Sequence, residues 1–269
     1  MFPKRDLIST EIPVTTKTTK FVWPANWPQP REWIGSRYIH QLNNQDWFLS
    51  VTPKELTLAI KRDDIEDDQI QMQGPIAENI GFETEKWLHR DAYQLLTNGV
   101  DGLCFDGQPF FHGSHPNGDT TYSNYQAGAG AAWYVLMTTA PLKPLIWGNR
   151  RAIKFTRIES DENESVFNRA EYLYGTDARW GYTYAFPFLA YRSEAPLTMA
   201  NVKAAIVTMN SYTNEDGVNL GIMPDTLLVP GSLQFEALEL MTHEKVMHEG
   251  TLVPNSVRGA LDAVVCPYL

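Results

Sequence analysis

Cys104, Asp106, His112 and His115 fall within a dozen residues of one another. A thiol, a carboxylate and two imidazoles this close could form a metal site or a thiol nucleophile with its base. Zinc needs a second recognisable ligand pair, and none follows at a usual spacing. The surrounding stretch, LCFDGQPFFHGSHP (103–116), is rich in Gly and Pro, where polar side chains commonly hold turns. His243-Glu244-Lys245-Val246-Met247-His248 misses the HExxH zinc pattern by one residue. On a helix that extra residue turns the second histidine about 140° from the first. Gly128-x-Gly130 lacks the third glycine of a dinucleotide loop, and Pro230-Gly231-Ser232 is not a nucleophile elbow. Asp63, Asp64, Glu66, Asp67 and Asp68 could gather a divalent cation. A cluster just ahead of a helix more often caps it or faces water or a partner. Residue chemistry therefore describes a protein that is not an enzyme. The rival is a thiol or metal hydrolase using Cys104, His112 and His115.

The elements that would position these residues follow from periodicity. Residues 1–36 show no core pattern, but FVWPANWPQPREWIGSR carries Trp23, Trp27 and Trp33 among three prolines. Proline keeps such a stretch extended, and each tryptophan seeks burial. In 37–62, Trp47, Leu49 and Val51 alternate with polar residues, as do Leu56, Leu58 and Ile60. That predicts strands joined by a turn at Thr52-Pro53-Lys54-Glu55. Ile76, Ile80, Trp87, Leu88, Ala92, Leu95 and Leu96 mark one face of a long helix ending at Asn98-Gly99. Trp180, Tyr182, Tyr184, Phe186 and Phe188 share one face of a strand. Helices near 198–209 and 233–243 and strands at 226–229 and 263–266 predict a small α/β unit over 195–269.

The chain has 269 residues, 43% apolar and 20% charged, an ordinary globular composition. No apolar run reaches 18 residues and the opening MFPKRDLIST has no apolar stretch, so neither a membrane span nor a secretory signal is expected. Two cysteines make no disulfide framework. The net charge of −10 argues against a nucleic-acid reader. Its distribution is uneven. Residues 1–62 hold nine basic and five acidic side chains, a net +4, whereas residues 63–110 hold two and eleven, a net −9.

Several strings taken in order carry a resemblance. They are REWIGSR (31–37), KRDDIEDDQI (61–70), LCFDGQPFFHGSHP (103–116), PLKPLIW (141–147), VFNRAEYLYGTDARWGYTYAF (166–186), LGIMPDTLLVP (220–230) and LDAVVCPYL (261–269). Together they resemble the major head subunit of Mu-like phages and prophages, from about residue 22 to the C-terminus. The resemblance implies an α+β, HK97-like capsid fold. It divides the chain into an N-terminal arm (1–36), an E-loop hairpin (37–62), a peripheral domain (63–194) with a sheet and a spine helix near 70–99, and an α/β axial domain (195–269).

The implied function is a major capsid protein of a tailed phage. Copies would assemble into hexamers and pentamers of an icosahedral shell around double-stranded DNA. The virion would be built in the host bacterial cytoplasm with scaffold, protease and portal proteins, without a membrane or cofactor. Inter-subunit contacts are expected at Trp23, Trp27, Trp33, Trp47, Lys54, Asp63, Asp64, Asp67 and Asp68. The basic arm and E-loop of one copy would overlie the acidic segment of the next. Lys54, at the expected E-loop tip, is the position for any Lys–Asn cross-link. A tail-associated or other oligomeric virion protein is a further alternative.

Overall fold

The computed structural model describes residues 4–23, 45–67, 73–160, 162–248 and 250–269. The chain begins with strands β1 (Ser9–Pro13), β2 (Thr18–Trp23), β3 (Gln45–Ser50) and β4 (Thr52–Lys61). A short helix α1 (Arg62–Glu66) and a long helix α2 (Gln73–Thr97) follow. A turn-rich stretch holds β5 (His115–Asn117), β6 (Thr120–Tyr122) and β7 (Tyr125–Gln126), then come β8 (Trp133–Leu136) and β9 (Leu145–Ile158). Helix α3 (Glu164–Arg169) leads into β10 (Glu171–Tyr184) and β11 (Ala190–Ser193). The last segment contains α4 (Met199–Asn210), β12 (Thr226–Pro230), α5 (Gln234–Thr242), β13 (Lys245–His248), β14 (Thr251–Pro254) and β15 (Asp262–Cys266). No helix among the described residues is long and apolar enough to cross a membrane.

One sheet runs β1-β9-β10-β4 and carries α2 on one face. The even-numbered residues of β10 explain the attachment. Tyr174, Thr176, Ala178, Trp180 and Tyr184 are buried on one side of the strand. Thr176 meets Thr84 at 2.8 Å and Trp180 packs edge-on against Trp87. The hydroxyls of Tyr182 and Tyr184 donate to the backbone carbonyls of Leu88 and Leu95. The aromatic period-2 pattern thus joins a strand to a helix through both apolar area and hydrogen bonds. Phe186 and Phe188 lie past the end of β10, with Pro187 opening a 3-10 turn that leads to β11.

The second sheet runs β15-β12-β8-β11-β7. All four residues of β8 and all five of β12 are buried, as their continuous apolar runs require. The helices at 198–209 and 233–243 appear as α4 and α5. Thr198 caps α4 by accepting from the Asn201 N–H. β12 pairs with β8 as well as with β15, so the expected border at 194/195 cuts through this sheet. Residues 195–269 do not form a layer by themselves; they complete one begun at residue 125.

Three expectations are revised. Among the described residues of 37–62, β3 and β4 do not pair with each other: β3 pairs with β2, and β4 lies at the end of the first sheet beside β10. The hairpin is therefore β2–β3, and the Trp/Pro-rich residues 24–44 connect it. No turn forms at 52–55. Pro53 is tolerated inside β4 because an edge strand has no partner for the N–H that proline lacks. The start of the chain is not a detached arm. Ile8 is fully buried, and β1 runs parallel to β9. The Tyr93 hydroxyl donates to the Lys4 carbonyl, and the Arg5 guanidinium sits 3.6 Å above the Trp147 ring.

Candidate functional site

The loop from Gly102 to Asn124 brings Cys104, Asp106 and His115 together. The Cys104 thiol donates to Asp106 Oδ1 at 2.8 Å, and His115 Nδ1 meets Asp106 Oδ2 at 2.6 Å. Asn124 fixes the other side of the imidazole. Its Nδ2 donates to the carbonyls of Phe110 and Pro187, so its Oδ1 accepts from the His112 N–H and from His115 Nε2. Both ring nitrogens of His115 thus have a partner, Asp106 on one side and Asn124 on the other. Burial pushes the Asp106 carboxyl up. Hydrogen bonds from His115, Cys104 and the Gln108 N–H outweigh it and hold the group below its ordinary value.

The three side chains offer ligand atoms within 4.8 Å of one another, but their polar atoms are already joined by hydrogen bonds of 2.6 and 2.8 Å, and nothing further among the described residues supports a metal or hydrolase site. The thiol donates to the Asp106 carboxylate, and burial with that neighbouring charge raises it far above its ordinary value, which favours the neutral thiol. The His112 ring turns to the backbone of Ser114. The cluster is a buried polar lock that closes the loop against the core. The HExxH near miss is resolved similarly: His243 caps the end of α5, and His248 ends strand β13.

The residues expected at subunit contacts separate into four groups. Lys54 and Trp47 have partners in their own chain. Lys54 Nζ lies 3.5 Å from Asp91 on α2 and 4.9 Å from the Trp87 ring centroid, so it is not at a hairpin tip. The Trp47 indole N–H donates to the Tyr184 carbonyl. Asp63 and Asp64 are exposed in the first turn of α1, and Asp67 is exposed at its end. Trp23 ends β2, paired through its backbone with Gln45. Trp27, Trp33 and Asp68 lie outside the described residues.

Sequence reasoning missed a basic run on the outer half of β9, where Arg150, Arg151, Lys154 and Arg157 are all exposed. Charge counted over 111–194 hides it, because eight basic and eight acidic residues cancel there. The base of the β2–β3 hairpin was also missed. Gly148 and Gly181 face each other across β9 and β10. A Cβ on Gly148 would stand 2.3 Å from Leu49 Cδ2, and one on Gly181 would stand 2.0 Å from the Ser50 carbonyl oxygen. The two glycines form a depression into which the end of β3 descends.

An extended hairpin, a long helix laid along a ribbon, and a mixed sheet flanked by two short helices match the tailed-phage head-subunit fold that the resemblance implies. Comparison with known proteins gives the family. The model of the Mu-like prophage major head subunit gpT matches residues 2–269, and the chain belongs to that family. The match extends to the first residues, where the strings above carried no resemblance. The major capsid protein of Escherichia phage Mu is 30% identical over 95% of this chain and 87% of its own length. A subunit in the procapsid of bacteriophage JBD30 is 32% identical, with a TM-score of 0.82 over 98% of this chain and 90% of that one. The JBD30 capsid superposes with a TM-score of 0.86 at 21% identity, covering all of this chain and 91% of that one, which establishes the fold.

Proposed function

We propose that this chain is the repeating unit of an icosahedral phage head, assembled as hexamers and pentamers around double-stranded DNA. The observation that carries the reading is the near full-length likeness to a procapsid subunit at 32% identity. In this reading the β2–β3 hairpin, with residues 24–44 at its far end, is the E-loop. The ribbon and α2 form the peripheral domain. The second sheet with α4 and α5 forms the axial domain, starting near residue 125 rather than 195. Trp27 and Trp33 reach a neighbouring copy, and the acidic residues Asp63, Asp64, Asp67 and Asp68 face another. Scaffold, protease and portal proteins supply assembly and maturation in the host cytoplasm, and the finished subunit resides in the virion shell. Contact with DNA is non-specific, as the net charge of −10 favours no tight binding.

Purified protein, with its scaffold where required, tests this by electron microscopy. Closed shells of megadalton mass are expected. Monomers or small rings under all assembly conditions would refute the reading, and open tubes or one ring size would favour a tail-associated protein.

A further inference from the structure

Among the described residues, the outer half of β9 is an open edge. β1 pairs with β9 only as far as Asn149, and residues 150–157 are exposed. Such an edge offers unpaired backbone groups and is usually defended by charge. Here the charge has one sign: Arg150, Arg151, Lys154 and Arg157, with no carboxylate in the strand. Arg151 is bridged to Asp177 at 2.6 Å, and Arg157 lies 3.8 Å from Glu159. Arg150 and Lys154 have no ion pair among the described residues.

The complementary surface is α1. Asp63, Asp64, Glu66 and Asp67 are exposed and also lack an ion pair among the described residues. One chain cannot join these surfaces. The order β9-β10-β4 puts two strand spacings, about 9.6 Å, between β9 and β4. In register, Lys154 is level with Asp177 and so with Glu55, whereas β4 passes into α1 only after Lys61. Those six residues add about 20 Å along the ribbon. A contact from one edge to the far end of the other is not self-complementary. Such a heterologous contact, repeated, builds a ring where its rotation closes.

We propose that Arg150 and Lys154 on β9 of one copy receive the acidic α1 of a second copy of this chain. This rests on the shell-subunit reading and names the basic partner of the acidic cluster. It replaces Lys54, whose charge is used within the chain. Nucleic acid fits less well, because the net charge of −10 favours no tight binding to a polyanion as long as DNA.

Two experiments test it. First, R150E/K154E and D63K/D64K each place like charges across the contact. Shell yield is expected to fall roughly tenfold in each and to return near wild type when all four changes are combined. Unchanged yield in either pair, or no recovery in the combination, overturns the contact. So would intact R150E/K154E shells that only retain less DNA, since that outcome assigns the strip to nucleic acid. Second, Lys154→Cys with Asp64→Cys in one chain is treated with a short bis-maleimide. The native Cys104 and Cys266 are buried and give low background. A ladder of covalently joined copies is expected. Shells without the ladder overturn the contact and leave the shell reading standing. The ladder without shells supports the contact and refutes the shell reading.

Discussion

Asp91 Oδ2 accepts the indole N–H of Trp180 at 3.0 Å and lies 3.5 Å from the ammonium of Lys54, so one carboxylate ties α2 to β10 and β4 together. Removing each partner should have unequal effects. Lys54→Ala loses a partly exposed pair and should cost about 0.5–1 kcal/mol. Asp91→Ala also leaves a buried indole N–H without an acceptor and should cost about 2–3 kcal/mol. Urea unfolding of the isolated subunit measures both, and equal losses would contradict the shared role of Asp91. A covalent cross-link at Lys54 is not expected on a denaturing gel of mature shells.

The Cys104–Asp106–His115 lock predicts thiol behaviour. Neither Cys104 nor Cys266 should react with a chromogenic disulfide reagent in the native subunit, and both should react in denaturant. Burial raises the Cys266 thiol to about 12, so ordinary alkaline buffers will not expose a thiolate. Asp106→Ala leaves the buried His115 ring and the Cys104 thiol without their shared acceptor and should destabilise by about 2–3 kcal/mol. Cys104→Ala loses one neutral donor and should cost about 1 kcal/mol.

Acid should loosen the start of the chain before it unfolds the rest. His89 Nδ1 accepts the Arg5 backbone N–H, and burial together with the Arg5 charge holds the ring below its ordinary value. The unfolded chain therefore binds the proton more readily, and stability falls as pH drops below about 6.5. Asp106 and Asp225 act at lower pH. Burial opposes their ionisation, but hydrogen bonds hold both below the ordinary carboxylate value. Their stabilisation is full above about pH 4 and is lost as pH falls through the depressed values. Hydrogen exchange at residues 4–13 between pH 7 and 5 measures the first step, and His89→Gln should flatten it.

Gly181→Ala should be among the most damaging single changes in the first sheet. Its Cβ would collide with a backbone oxygen, which cannot rotate aside, so a loss of at least about 2–3 kcal/mol is expected. Gly148→Ala meets the side chain of Leu49 and should cost less. In a double variant, Gly148→Ala with Leu49→Ala, the total loss should be smaller than the sum of the two single losses, because the shortened side chain no longer meets the new Cβ. Full additivity would show that the depression is not shaped to β3.

Much of this architecture is legible in the sequence because periodicity reports burial. The apolar face from Ile80 to Leu96 marks α2, and the even-numbered aromatics mark the inner face of β10. What could not be read is which elements pair. Trp47, Leu49 and Val51 alternate as they must, but the same pattern suits pairing with β2 or with β4. Pro53 resembled a turn because the edge position that tolerates it is a tertiary fact. The polar cluster at Cys104 showed its members but not their geometry, because hydrogen bonds of 2.6 and 2.8 Å between side chains from separate turns are a tertiary fact.

The depression at Gly148 and Gly181 sets a direction as well as a fit. β2 and β3 stay paired for six residues, a lever of about 20 Å. Rocking its root by about 10° would carry the far end about 3.5 Å, as long as one residue of strand. In an object assembled from identical parts such an error does not average out, because every copy makes it in the same sense. Two absent methyl groups therefore act as a calibration: they aim each hairpin, and with it the curvature that many hairpins would sum to.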